Sequence, residues 1–64
     1  MQQSNVLFSE LYRDHVILIH DDLPIVSCFT ADGNLVDAYF FGDFDDLDKG
    51  VEVGKQIVDK MFIH

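Results

Sequence analysis

The densest chemistry-bearing group is the acidic run Asp43, Asp45, Asp46 and Asp48, with Glu52 four residues further on. Clustered carboxylates can hold a divalent cation, so calcium is the first chemistry to test. A calcium loop needs oxygen ligands at its first, third and fifth positions, glycine at the sixth and glutamate at the twelfth. Counted from Asp43, the fifth position is Leu47, the sixth Asp48 and the twelfth Gly54. Counted from Asp45, the third is Leu47. Neither frame supplies a loop. Aspartates after a strand also serve magnesium-dependent phosphoryl transfer, but that chemistry needs a lysine and further carboxylates converging from a larger scaffold. The cluster reads better as acids at a helix N-terminus, where the macrodipole favours them.

The other reactive side chains are few. His15 and His20 bracket a six-residue run and in an extended strand point to opposite faces, so one zinc site cannot use both. His64 stands at the far end. Cys28, the single cysteine, would need a neighbouring base and a lowered pKa to act as a nucleophile. A hairpin register sets it across from Asp37, and a carboxylate there disfavours the thiolate. No glycine-rich phosphate loop and no Ser/His/Asp spacing is present. The expectation is a protein without catalytic residues, metal or cofactor.

These residues must be placed by elements that a short chain can build. At 64 residues, one domain covering residues 1–64 is expected. A chain of this size buries only ~60% of its unfolded surface. It has no second cysteine for a disulfide, so self-association or a larger partner is the expected source of extra stability. Asp32-Gly33 lies between two runs rich in β-branched and aromatic residues and predicts a two-residue hairpin loop. Phe29 then faces Val36, Ser27 faces Ala38, and Ile25 faces Phe40. One face holds Ile25, Phe29, Val36, Ala38 and Phe40. The other carries Val26, Leu35, Tyr39 and Phe41.

Upstream, His15–His20 reads as a strand, apolar on both faces, with Pro24 opening the next strand. Downstream, Leu47, Val51, Gly54, Val58 and Met61 recur at helical spacing and predict a helix over residues 45–63, capped by Asp45 or Asp46. Gly50 and Gly54 weaken a helix by ~1 kcal/mol each, which close packing on a sheet would explain. Residues 5–13 fit either a helix, with Leu7 beside Leu11 and Ser4 as cap, or a strand running to Arg13-Asp14. The helical reading is preferred. The expected fold is therefore α+β: a three-stranded antiparallel meander, a C-terminal helix on one face and a short N-terminal helix.

Charge directs the functional reading. Twelve Asp and Glu oppose four Lys and Arg, for a formal net charge of −8. Direct nucleic-acid binding is not expected, since such footprints are basic. Asp21, Asp22, Asp43, Asp45, Asp46, Asp48 and Glu52 form the expected acidic partner-binding face. A field of this sign steers a protein onto a basic partner surface, and basic clefts commonly hold nucleic acid. If the helix covers the Ile25 face, Val26, Leu35, Tyr39 and Phe41 are left as an apolar face for a homodimer or a partner. The edge of strand His15–His20 is a second candidate for a homodimer. The uncharged N-terminus and a longest aliphatic run of four residues, Val16 to Ile19, predict neither signal peptide nor membrane span. With the lone thiol, they point to the cytoplasm.

In size, charge and shape the chain is similar to small phage and mobile-element inhibitors, such as anti-CRISPR and anti-restriction proteins. That similarity implies a mimic of nucleic acid. Residues 27–57 run strand, strand, Gly42-Asp43, helix, an order that resembles HicB-type antitoxins. That resemblance implies an antitoxin-like or regulatory module binding one small basic toxin. A structural homodimer or assembly subunit is the third expectation.

Overall fold

The structure, a computed structural model, describes residues 6–63. Ser4 as a cap, Asn5 as the first residue of an N-terminal helix, and His64 as a ligand or helix-end charge lie outside the described residues. The fold is α+β. Strands β1 (Val6–Tyr12), β2 (His15–His20), β3 (Ile25–Thr30) and β4 (Leu35–Phe40) form an antiparallel sheet in that spatial order. One turn of 3-10 helix (Phe44–Asp46) leads into α1 (Leu47–Lys60).

The sheet has four strands, not three, because the N-terminal segment is strand β1 rather than a helix. The cause lies at Arg13 and Asp14, whose φ angles are 51° and 64°. Two successive left-handed residues make the tight reversal that matches strand twist, and it sets Tyr12 opposite His15. Outside glycine this conformation costs roughly 1 kcal/mol per residue. Tertiary contacts offset it. Arg13 Nη1 donates to Asp59 Oδ1 at 2.7 Å, and the guanidinium lies 4.3 Å from the Phe62 ring centre. A bulge between Val6 and Phe8 loosens the far end of the strand.

The β3–β4 hairpin forms where Asp32-Gly33 predicts it, but its loop is longer by one residue. The Gly33 N–H donates to the Thr30 carbonyl at 2.9 Å, and Gly33 follows at φ 94°. This is the three-residue loop in which glycine takes the left-handed position. Ile25–Phe40, Ser27–Ala38 and Cys28–Asp37 pair as the sequence predicts, whereas a bulge then sets Phe29 opposite Leu35 instead of Val36.

The helix covers the opposite face of the sheet from the one expected. Ile17, Ile19, Val26, Cys28, Phe41 and Val58 form the buried core. Val26 and Phe41 are thus beneath α1 and are not part of an open partner face. Leu35 pairs with Phe29 on the other side, while Tyr39, opposite Val26, sits exposed on the outer strand. The reason is fit. A Cβ on Gly50 would lie 2.8 Å from the Phe41 ring, and one on Gly54 would lie 2.7 Å from Ile17 Cγ2. The two glycines let the helix backbone settle onto these side chains, which is the close packing that their spacing implies. Leu47, Val51, Val53 and Ile57 pack around this centre. The edge of β2 is not open either, since β1 and β3 occupy both sides.

Candidate functional site

Two surfaces stand out, and they adjoin at a shallow pocket lined by His20, Asp22, Leu23, Ile25 and Ser27. The first is an acidic end. The β2–β3 loop and the exit from β4 lie at the same end of the sheet, joined by the Phe41 N–H donating to the Pro24 carbonyl at 2.9 Å. Gly42, at φ 109°, then turns the chain toward the helix. Asp21, Asp22, Asp43, Asp45, Asp46 and Asp48 therefore gather at one end of the molecule, and all six are exposed. Among the described residues none of them has an ion-pair partner. The ion pairs among the described residues are Arg13–Asp59 at 2.7 Å and Lys55–Glu10 at 3.7 Å.

Local chemistry tolerates this crowding. The Asp43 carboxylate accepts from the Asp45 N–H at 3.0 Å and so caps the 3-10 turn. Asp46 holds the N-cap position of α1 without a side-chain cap bond, so the capping residue is Asp43 rather than Asp45 or Asp46. Asp48 sits in the first turn of α1, where the exposed N–H groups favour negative charge. Among the described residues no group of three or more His, Cys, Asp or Glu is placed to hold a metal ion.

Glu52 lies one turn along α1 and extends the acidic surface into an open groove of about 530 Å3 between β1 and α1. Phe8 and Val51 line this groove, with Glu10, Asp48, Glu52 and Lys55 around them. An apolar floor beside carboxylates suits a long basic side chain, whose stem is aliphatic and whose head is charged. Nothing local in the sequence marks this groove, because it depends on β1 being a strand.

The second surface is the sheet face away from α1. Glu10, opposite Ile17, and Asp37, opposite Cys28, share the helix side. The strand residues of the other face are Val6, Ser9, Leu11, Val16, Leu18, His20, Ile25, Ser27, Phe29, Leu35, Ala38 and Phe40. That face carries no carboxylate and no Lys or Arg. Leu11 is 70% exposed, and Leu35 and Phe40 are each 60% exposed. His15 lies on the helix side, near the Phe62 ring, and its Nδ1 donates to the Arg13 carbonyl at 2.8 Å. The two strand histidines thus point to opposite faces.

Cys28 is fully buried and donates its thiol to the Gly54 carbonyl at 3.3 Å. Burial, with Asp37 adding to it, pushes its pKa up. This keeps it a thiol and a packing residue. No described helix is long and apolar enough to cross a membrane. Compared with known proteins, the chain matches no family model, no curated protein and no solved structure.

Proposed function

We propose that the protein is a small acidic protein-binding module that occupies a basic surface of a nucleic-acid-handling protein in place of phosphates. The observation that carries this reading is the collection of six exposed aspartates at one end of the sheet, with no ion-pair partner among the described residues. Short Asp side chains hold their charge close to the backbone, giving a localised negative field. A field of this kind raises the rate of encounter with a basic cleft and sets orientation. The adjoining groove adds a place for a basic side chain. The role is inhibition by occupancy, with no catalytic residue, cofactor or direct nucleic-acid contact.

The test is capture from source-cell lysate at graded salt, with the Asp43→Lys, Asp45→Lys, Asp46→Lys and Asp48→Lys variant beside the parent chain. The expected result is a nucleic-acid-binding protein that is retained at low salt, released as salt rises, and lost in the variant. A folded variant that still retains the same partner refutes the reading. Capture of one small basic protein instead favours the antitoxin-like alternative. The open sheet face favours a second property, self-association.

A further inference from the structure

We infer that the open face of the sheet is the contact surface of a symmetric homodimer, with a second copy of this chain as its occupant. The face is centred on Leu11, Val16, Leu18, Ile25, Phe29 and Phe40, which the strand pairing places together on the side away from α1. Monomeric soluble proteins rarely leave an apolar patch of more than a few hundred Å2 uncovered. Nothing else among the described residues covers this one.

Size and charge select the occupant. The molecule is a two-layer slab measuring 39 by 26 by 15 Å. Its open face, four strands of six or seven residues at about 3.3 Å per residue and about 4.8 Å apart, spans roughly 400 Å2 in projection, so two copies bury an area toward the low end of specific interfaces. Strand residues without carboxylate, Lys or Arg can meet their own copy without charge repulsion, and a twofold contact sets the same patch on both copies. A basic partner would find a carboxylate only at its border, where Asp22 shares a pocket with His20, Ile25 and Ser27. Two copies packed sheet to sheet, about 10 Å apart, keep both helices and both sets of helix-side acids on the outside. Charges separated by more than ~8 Å are largely screened at physiological salt. Each copy can therefore keep its formal charge of −8 without blocking association.

Charge also sets the direction of the twofold axis. The end opposite the acidic one is less negative: Arg13 pairs with Asp59 there, Lys60 closes α1, and Asp14 and Asp32 stand in the two turns. An axis parallel to the strands would stack the two acidic ends. An axis running across the strands sets each acidic end over the partner's Arg13 end, and this is the arrangement we assign.

The test is mass in solution by sedimentation or light scattering, from micromolar to millimolar chain. The parent chain is expected at twice the 7.3 kDa chain mass. Leu11→Asp and Phe40→Asp should each halve it with the far-ultraviolet dichroism unchanged, and Asp45→Lys should leave it dimeric. A parent chain that stays at 7.3 kDa up to millimolar overturns the inference and leaves the face to a different partner. So does a dimer that survives both substitutions in the folded variants. Should either variant unfold, dilution of the parent chain followed by methyl resonances decides. Shifts at Leu11, Val16 and Leu18 support the dimer, and shifts confined to Val53 and Ile57 overturn it.

Discussion

Gly54→Ala isolates the close approach of helix to sheet. At an exposed helix position this change stabilises by ~1 kcal/mol, because alanine is the better helix former. At Gly54 the added methyl would lie 2.7 Å from Ile17 Cγ2 and 3.0 Å from Val26 Cγ2. Both neighbours are fully buried, and both are β-branched and stiff at χ1. Protein interiors are as dense as organic crystals, so neither methyl has room to swing aside. Overpacking of this kind costs typically ~1–3 kcal/mol. Set against the ~1 kcal/mol helix gain, the net expectation is a loss of up to ~2 kcal/mol. For a domain this small, that lowers the thermal midpoint by up to roughly 15 °C. Urea and thermal unfolding should be compared at one fixed chain concentration, since self-association would couple stability to concentration. A second readout is local: a helix pushed outward lengthens the 3.3 Å bond from the Cys28 thiol to the Gly54 carbonyl and speeds thiol labelling. A Gly54→Ala chain that melts at or above the parent would refute the packing argument.

Two further outcomes follow from the helix ends. Asp43→Ala removes the carboxylate that accepts from the Asp45 N–H and should destabilise by ~1 kcal/mol in a thermal melt. Asp46→Ala, which loses no side-chain cap bond, should cost less. At the other end, the Arg13 hydrogen bond, with help from the Tyr12 hydroxyl, holds the Asp59 carboxyl below its ordinary pKa. A folded pKa below the unfolded one contributes stability above the unfolded value, and that contribution is lost as pH falls through the folded one. Asp59→Asn should therefore flatten the fall in melting temperature below about pH 4. An unchanged acid limb would show that the Arg13–Asp59–Tyr12 contact does not form.

The parts of this fold that were legible in the sequence are those with local causes. Asp32-Gly33 predicts the hairpin because glycine is needed at a left-handed position, and Gly33 takes it. The apolar period predicts the helix, which runs Leu47–Lys60 rather than residues 45–63. The 3-10 turn occupies the start, and Met61 and Phe62 turn out of the helix at the end. β1 is not legible locally because its reversal uses Arg13 and Asp14: Asp14 tolerates the left-handed region, but Arg13 has no such preference and is held by Asp59 and Phe62 from 46 positions or more away along the chain. The choice of covered face has no local signal at all. Both faces of the hairpin are apolar, and the decision rests on how Gly50 and Gly54 receive Phe41, Ile17 and Val26. The acids were legible as a group around the helix start. That Asp21 and Asp22 join them follows only from the order of the strands.

The separation of charge from apolar surface bears on how the two proposed contacts work together. An acidic cluster placed on the open face would have opposed self-association, and an apolar patch at the acidic end would have weakened discrimination for a basic cleft. Placing Glu10 and Asp37 on the helix side leaves the strand residues of the open face without a carboxylate. Sheet-to-sheet contact then rests on apolar burial, which added salt does not screen. Engagement of a basic partner rests on exposed carboxylates, whose reach shrinks with the Debye length. A crossed twofold axis would present the two acidic ends at opposite poles of the dimer. One dimer could then meet two basic surfaces at once, and linkage of that kind raises apparent affinity without any new contact when the geometry allows both. The inhibitory reading and the dimer are therefore mutually reinforcing yet independent in their causes. Loss of the dimer would reduce avidity for a basic target while leaving the acidic end of each chain intact.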